Sequence, residues 1–141
     1  MTVIDRSAIE VFEAFLGIKI PNDYREYLEN NNGGKPTAAS FDIPGEGDDS
    51  IQEFFPLLSK TRADDLPYKI KLYAKRIPEE MLPIGRDPGG NLLLICLKGK
   101  ERGKIFFWDH EHEADGEDAQ PYYGNIKLLA PNFGDFLSKL K

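Results

Sequence analysis

The sequence predicts an α+β fold in which helices cover a single, mostly antiparallel sheet of about five or six strands. Two observations predict it. Apolar residues recur at helical spacing near both ends of the chain and once in the middle. Between these segments lie short runs rich in β-branched and aromatic residues, separated by glycine, proline and aspartate. Strands that follow one another through short turns pair antiparallel, which favours one continuous sheet.

The first predicted helix covers residues 5–15. Its apolar stripe repeats at spacings of three and four and consists of Ala8, Ile9, Phe12, Phe15 and Leu16. Gly17 follows the stripe, and glycine readily adopts the left-handed backbone that ends a helix. The connection to the next helical segment is short, so we expect the two helices to pack as a pair.

The second predicted helix begins at Pro21, which fits the first helical position because its missing N–H leaves no hydrogen bond unmade there. Asp23 places negative charge beside the exposed amides of the first turn. The segment 32–34, Asn-Gly-Gly, provides the helix stop. Tyr24 and Tyr27 lie on its apolar face, and we interpret them as residues at the edge of the core whose hydroxyl groups reach water.

The middle of the chain predicts two strands, a loop and a helix. Residues 39–43 alternate in polarity and predict a short strand, and residues 51–55 predict another. Residues 44–49 between them predict a turn-rich acidic loop. A third helix is predicted over 65–76, capped by Asp64 or Asp65 and with Pro67 in its first turn.

The second half of the chain predicts the rest of the sheet. A strand begins at 82–85, and residues 87–91 form a strong turn signal. The continuous apolar run 92–97 predicts a central strand that is covered on both faces. Residues 104–109 predict its hairpin partner, which places Trp108 in the core. A short strand over 126–130 and a closing helix from Pro131 complete the prediction.

Length and composition limit the function. A chain of 141 residues predicts one domain, spanning 1–141. The net charge of −6 argues against direct binding to nucleic acid, which requires a basic surface, and is compatible with a basic protein partner. The lone cysteine, Cys96, lies in an apolar run and is interpreted as a buried residue. The start of the chain lacks the apolar region of a signal peptide, and no run approaches a membrane span, so we expect a cytoplasmic protein.

The most unusual local feature is the segment 109–118, in which six of ten residues are acidic and the other four include both histidines of the chain. One interpretation is a metal site, because His110 and His112 share a face if the preceding strand continues. The others are a solvated loop and a loop that attracts a basic partner. We expect no obligate metal. A second acidic patch contains Glu46, Asp48 and Asp49, and the sequence leaves open whether the two patches share a surface.

Several motifs occur together in an order that resembles the SUKH superfamily, which includes fungal Smi/Knr-type cell-wall regulators and many bacterial immunity proteins. The resemblance covers about residues 7–140. The matching segments are Ile20-Pro21-Asn22-Asp23-Tyr24, Asn32-Gly33-Gly34, Leu82-Pro83-Ile84-Gly85 with Asp87 and Gly89-Gly90-Asn91, Gly103-Lys104-Ile105-Phe106-Phe107-Trp108, and Phe133, Phe136 and Leu137.

The resemblance implies a non-enzymatic protein-binding domain without catalytic residues or cofactor. It most directly implies an immunity protein that neutralises a polymorphic toxin, often a nuclease. The alternative is a regulatory scaffold of the Smi/Knr type, as in cell-wall synthesis, and an uncharacterised enzyme is the third hypothesis. The residues that we expect to contact a basic partner are the acids of the two patches: Asp109, Glu111, Glu113, Asp115, Glu117 and Asp118, followed by Asp48 and Asp49.

Overall fold

A computed structural model describes residues 4–59, 62–112 and 123–141. Its helices are α1 (Arg6–Leu16), α2 (Asn22–Asn31), α3 (Leu66–Tyr73) and α4 (Phe133–Ser138). Its strands are β1 (Ser40–Ile43), β2 (Gly47–Ser50), β3 (Glu53–Phe54), β4 (Met81–Arg86), β5 (Leu92–Cys96), β6 (Ile105–Trp108) and β7 (Ile126–Ala130). Two short 3₁₀ turns cover Arg62–Asp64 and His110–His112. The predicted α+β class is confirmed.

The main sheet has five antiparallel strands in the order β3-β4-β5-β6-β7. Strand β5 is central, and all five of its residues are buried, as its unbroken apolar run predicts. Cys96, at its end, is 1% exposed, and Trp108 in β6 is fully buried, so both are core residues as predicted. The predicted hairpin of β5 and β6 is also confirmed.

Strands β1 and β2 form a separate two-stranded antiparallel sheet. The prediction of a loop over residues 44–49 is therefore wrong for Gly47, Asp48 and Asp49, which lie on β2. The chain turns at residues 44–46, where Gly45 has a φ of 79° and the Glu46 N–H donates to the Ile43 carbonyl at 2.9 Å. Acidic residues have little intrinsic strand propensity, so β2 depends on pairing with β1, whose Phe41 and Ile43 are buried.

Helix α1 begins at Arg6, one residue after its predicted start, and Asp5 is its N-cap, because the Asp5 carboxylate accepts a hydrogen bond from the Ser7 N–H at 3.1 Å. Helix α3 has a predicted cap, Asp65, which accepts from the Tyr68 N–H at 3.0 Å. Helix α2 differs from its prediction in one detail. Pro21 occupies the N-cap position, with a ψ of 141°, and the first helical residue is Asn22. Pro21 therefore has an extended backbone and lies just outside the helix.

An aromatic cluster joins α2, β3 and α4. The rings of Tyr24 and Tyr27 each lie 5.2 Å from the ring of Phe133, and Phe54 lies 5.6 Å from it. The interpretation of Tyr24 as an edge residue is wrong, because Tyr24 is 1% exposed and its hydroxyl group is buried without a hydrogen-bond partner in the described chain. Burial raises its pKa above the usual value. Tyr27 is half-buried, and burial raises its pKa to about 12.

The end of α2 clamps the segment that follows β3. Asn32 has a φ of 42°, and its side-chain Oδ1 accepts from the Leu57 N–H at 2.8 Å while its Nδ2 donates to the Leu58 carbonyl at 2.9 Å. Gly34 exchanges two backbone hydrogen bonds with Phe54. The predicted helix stop therefore also attaches α2 to the edge of the main sheet. Among the described residues, no helix is long and apolar enough to cross a membrane.

Candidate partner-binding surface

The hairpin of β1 and β2 carries its acidic residues on both faces. Asp42 and Asp48 lie directly opposite each other and point to solvent, whereas Asp49 lies opposite the buried Phe41. Neighbouring residues of a strand point to opposite faces, so Asp48 and Asp49 have different surroundings. Contact with Asp42 raises the pKa of Asp48, and the Lys141 ammonium lies 3.5 Å from both Asp42 carboxylate oxygens.

Asp49 points inward and meets the carboxylate of Asp87, at the turn between β4 and β5. Burial, which has the larger effect, and hydrogen bonding to Asp87 together raise the pKa of Asp49 to about 6. Asp87 is only 5% exposed and also accepts hydrogen bonds from the Gly89 N–H and from both nitrogens of Asn91, at 2.9, 2.7 and 2.9 Å. Burial opposes its ionisation, but the hydrogen bonds from Asp49, Asn91 and Gly89 lower its pKa. Asp49 is thus the member of the pair that holds the proton.

Replacing Asp49 with asparagine is expected to stabilise the fold at alkaline pH. The pKa of Asp49 rises from 3.8 to about 6 on folding, so its stabilising contribution is complete below about pH 4 and is lost as the pH rises through about 6. An asparagine amide donates to Asp87 without ionising. After allowance for solvent screening, we expect Asp49→Asn to raise the free energy of unfolding by about 1 kcal/mol at about pH 8 and to leave it almost unchanged at about pH 4. Urea unfolding across this pH range measures the difference.

The exposed Glu79, which makes no contact with this pair, supplies the control for the Asp49→Asn variant. Glu79→Gln removes the same unit of charge and should leave the free energy of unfolding within about 0.5 kcal/mol at every pH. An equal increase in the free energy of unfolding of both variants would mean that the loss of one negative charge, rather than the change at the Asp49–Asp87 contact, stabilises the protein.

A chain of hydrogen bonds links this pair to the segment after β6. The Asn91 side chain, which donates to Asp87, also accepts from the His110 N–H at 3.0 Å. The His110 imidazole Nε2 lies 2.9 Å from the Gly89 carbonyl oxygen. His110 is therefore fixed against the β4–β5 turn.

The two histidines do not share a face. Strand β6 ends at Trp108, and the chain continues in the 3₁₀ turn His110–His112. Nδ1 of His112 lies 2.6 Å from Oδ2 of Asp109, while the His110 ring contacts Gly89 and Gly90. The metal interpretation required the strand to continue through both histidines, so that they share a face, and the strand ends before them. No group of three or more His, Cys, Asp and Glu residues within 4–59, 62–112 and 123–141 could hold a metal ion.

Asp109 organises the turn after β6. Its Oδ1 accepts from the Glu111 N–H at 3.0 Å, and its Oδ2 contacts His112. The hydrogen bond that His112 donates to Asp109, together with the negative charge of Asp109, raises the pKa of His112. Asp109 is half-buried with both oxygens engaged, whereas Glu111 is exposed. Of these two predicted contact residues, Glu111 therefore has the more accessible carboxylate.

The two acidic patches meet at a small cleft. It has a volume of about 210 Å³, and its polar lining residues include Glu46, Asp109, His112, Asn125 and Lys127. The Lys127 ammonium lies 2.9 Å from the Glu46 carboxylate and 3.3 Å from the Pro44 carbonyl oxygen, which holds the tip of the β1–β2 hairpin over β7. The hairpin and the turn after β6 thus form the two sides of one surface.

Asn125 is 5% exposed at this cleft. Its Nδ2 donates to the Asp109 carbonyl at 2.9 Å, but its buried Oδ1 accepts no hydrogen bond from the described residues. An unsatisfied buried acceptor costs about 1–3 kcal/mol. Asn125 is therefore a buried amide in the wall of a cleft that also contains the carboxylates of Glu46 and Asp109 and the ammonium group of Lys127.

We call the surface formed by Glu46, Asp48, Asp109 and Glu111 the acidic face; Asp49 lies behind it and points inward to Asp87. It joins members of both acidic patches. The remaining predicted contact residues, Glu113, Asp115, Glu117 and Asp118, lie outside the described residues. Sequence reasoning did not assign Asp87 and Asn125 to this surface. The segment 87–91 was interpreted only as a turn, and no local pattern marks Asn125.

Comparison with known proteins supports the resemblance noted above. The SMI1/KNR4 family (SUKH-1) matches residues 4–139 of the chain. The chain belongs to this family. Members of the SMI1/KNR4 family are generally non-catalytic domains that bind other proteins. The chain is also similar to the SPbeta prophage-derived uncharacterized protein YokK of Bacillus subtilis (strain 168), with 26% identity over 150 residues, covering 94% of this chain and 72% of YokK.

Proposed function

We propose that this member of the SMI1/KNR4 family is a cytoplasmic immunity protein that binds a basic toxin domain, such as a nuclease, through its acidic face. The whole chain, residues 1–141, acts as one non-enzymatic binding domain in this proposal. A prophage-derived relative fits a role in competition between genetic elements. Nuclease domains present basic surfaces to nucleic acid, so an acidic face both attracts and blocks them.

The observation that carries the proposal is the cleft at the centre of the acidic face. The Glu46 carboxylate there is paired with Lys127, the Asp109 carboxylate is engaged within its own turn, and Oδ1 of Asn125 is unsatisfied among the described residues. A lysine or arginine side chain of the toxin provides donors and positive charge that match them. Buried charged pairs of this kind slow dissociation, while the surrounding exposed acids speed association.

The same cleft is a poor catalytic pocket. His112 is exposed, with 73% of its side chain accessible, and Asp109 already uses both oxygens within its own turn. A general acid or base requires a pocket that shifts its pKa and holds the substrate within hydrogen-bonding reach. The geometry favours recognition of a basic side chain over acid–base catalysis.

Co-expression with a toxin encoded beside this gene tests the proposed function. Wild-type protein should restore growth of cells that produce the toxin. Asn125→Leu removes the amide acceptor from the cleft and leaves Glu46 and Asp109 in place, and we expect it to weaken binding of the purified toxin domain about tenfold or more, as measured by calorimetry. The absence of an adjacent toxin gene, or failure of the wild-type protein to protect, would favour the regulatory scaffold instead.

A further inference from the structure

Strand β2 is attached to the molecule mainly through its partner strand. Among the described strands it pairs only with β1, and none of its residues is buried. No backbone hydrogen bond within the described part of the chain joins it to another element. Strand β1, in contrast, buries Phe41 and Ile43, and its Ser40 exchanges two backbone hydrogen bonds with Lys141. The hairpin is therefore anchored through β1.

One side-chain contact joins β2 directly to the main sheet. The Asp49 carboxyl group hydrogen-bonds to the Asp87 carboxylate at the turn between β4 and β5. Within the described residues, no other hydrogen bond or ion pair links a side chain of β2 to that sheet. An ionised carboxylate can only accept hydrogen bonds. The contact therefore exists only while one of the two groups carries a proton.

The Asp87 side of this contact is fixed in place. Asp87 is buried and accepts hydrogen bonds from Gly89 and from both nitrogens of Asn91, in its own turn. The Asn91 side chain also accepts from the His110 N–H, in the turn after β6. The contact thus connects the hairpin, which carries one half of the acidic face, to the turn that carries the other half.

The charged groups around the pair are engaged elsewhere. Arg86, beside Asp87, pairs with Glu53 of β3 at 3.0 Å, and the His110 ring contacts the backbone of the β4–β5 turn. The remaining charged groups of the neighbouring elements contact one another: Asp42, Asp48 and Lys141 on the solvent side of the hairpin, Glu46 and Lys127 at its tip, and Asp109 and His112 after β6. Within the described residues, no cation compensates a second negative charge at the pair.

We propose that Asp49 and Asp87 form a proton-operated latch, which holds β2 against the β4–β5 turn while the pair shares one proton and lets β2 move away when that proton is lost. The proton passes to water and leaves two carboxylates in contact, which repel each other. Asp87 is bonded to its own turn, so Asp49 is the group that moves toward solvent. The latch controls how the hairpin half of the acidic face lies relative to the other half.

The latch closes in acid and opens as the pH rises. The pKa of Asp49 is 3.8 when its carboxyl group is in water and about 6 in the closed contact. The closed hairpin is therefore favoured most below about pH 4, and this preference is lost as the pH rises through about 6. Between about pH 5 and about pH 8 the linkage relation gives a roughly tenfold rise in the open population, which solvent screening reduces to about fivefold.

Hydrogen exchange of the full-length protein, measured by NMR, tests the latch. After correction for the intrinsic exchange rate at each pH, the amides of β1 and β2 should exchange about fivefold faster at about pH 8 than at about pH 5. They should also exchange faster than the amides of β5 at both pH values, because the hairpin opens while the main sheet stays folded. Asp49→Asn, whose amide donates to Asp87 at every pH, should abolish the pH dependence.

Asp48→Asn is the matched control. It removes the same charge one residue away, on the opposite face of the hairpin. Since Asp48 contacts Asp42 and not the main sheet, this variant should keep the pH dependence of the wild-type protein.

Each of the following results would overturn the proposal. Hairpin amides that exchange no faster than those of β5 would mean that β2 separates only when the whole fold unfolds. Corrected rates that do not change with pH would mean that the pair does not hold the hairpin. A pH dependence that survives Asp49→Asn would assign it to another group, such as His110, and its loss in Asp48→Asn would assign it to the charge of the hairpin. These measurements involve no toxin, so their failure is distinct from failure of the proposed immunity function.

Discussion

Replacing Gly33 with alanine is expected to destabilise the fold by about 3–5 kcal/mol. Gly33 has a φ of 82°, and a Cβ atom placed there lies 2.7 Å from the Phe54 carbonyl oxygen, 2.7 Å from the Pro56 nitrogen and 2.9 Å from the Phe55 carbonyl carbon. All three are backbone atoms, so no side chain can move aside. The end of α2 must then separate from the edge of the main sheet. Chemical unfolding of the variant and the wild type measures the loss.

Gly34 supplies the matched control for this clash. Its φ of 98° is equally unfavourable for alanine, but a Cβ atom there has no neighbour within 4 Å. Gly34→Ala should therefore cost only the backbone strain, about 1–2 kcal/mol. Equal losses of stability in Gly33→Ala and Gly34→Ala would show that the strain of the left-handed backbone accounts for both. The close approach of α2 to β3 would then have no energetic consequence.

The helix ends were predictable from sequence because their determinants are local. Asp5 and Asp65 each cap a helix through a hydrogen bond to a residue two or three positions away. The left-handed stop of residues 32–34 is likewise a property of asparagine and glycine themselves. The central strand β5 was predictable for a different reason, since only a strand covered on both faces is apolar at every position.

The errors occurred where a distant contact decides the structure. Strand β2 has a sequence typical of a loop and becomes a strand because β1 supplies hydrogen bonds and a buried face. Tyr24 is buried because α4, from the far end of the chain, places Phe133 over α2. Asp23 contributes to this contact by accepting from the Gly134 N–H at 3.0 Å. No local pattern near Tyr24 contains that information.

The acidic face shows the same limit. The sequence identifies both patches of acids, but their meeting depends on how the β1–β2 hairpin folds over the main sheet. Two side chains make the connection: Asn91 joins the Asp87 turn to His110, and Lys127 holds Glu46 over β7. Neither residue type is diagnostic in a sequence. The composition predicted an acidic surface, but only the structure shows which of the acids lie together.

The fold holds two pairs of carboxylates close together, although their charges repel. Burial and the contact with Asp87 raise the pKa of Asp49 to about 6, and Asp48 faces Asp42 across the hairpin. Like charges directly opposite each other in a sheet are destabilising. We propose that a cationic partner relieves this repulsion, so that part of the stability lost in the free protein returns as binding free energy. Titratable groups with perturbed pKa values are typical of functional sites for this reason.

Under the proposed immunity function, reversing three charges of the acidic face is expected to slow association with the toxin about a hundredfold at low salt. The variant carries Glu46→Lys, Asp48→Lys and Glu111→Lys, all at exposed positions. Electrostatic attraction raises association rates by about 10–1,000-fold, and salt screens it. The variant should therefore also lose most of the salt dependence of the association rate. Stopped-flow mixing over a range of salt concentrations measures both effects.

The matched control reverses three exposed acids elsewhere, Glu10, Glu26 and Glu79. Both triple variants change the net charge by the same amount. Glu46→Lys also removes the ion pair with Lys127, so circular dichroism must first show that both variants are folded. The control should retain most of the association rate, since steering depends on the field near the contact surface within about one Debye length. Equal slowing of both variants would mean that only net charge attracts the toxin, and an unchanged rate in the first would remove the acidic face from the mechanism.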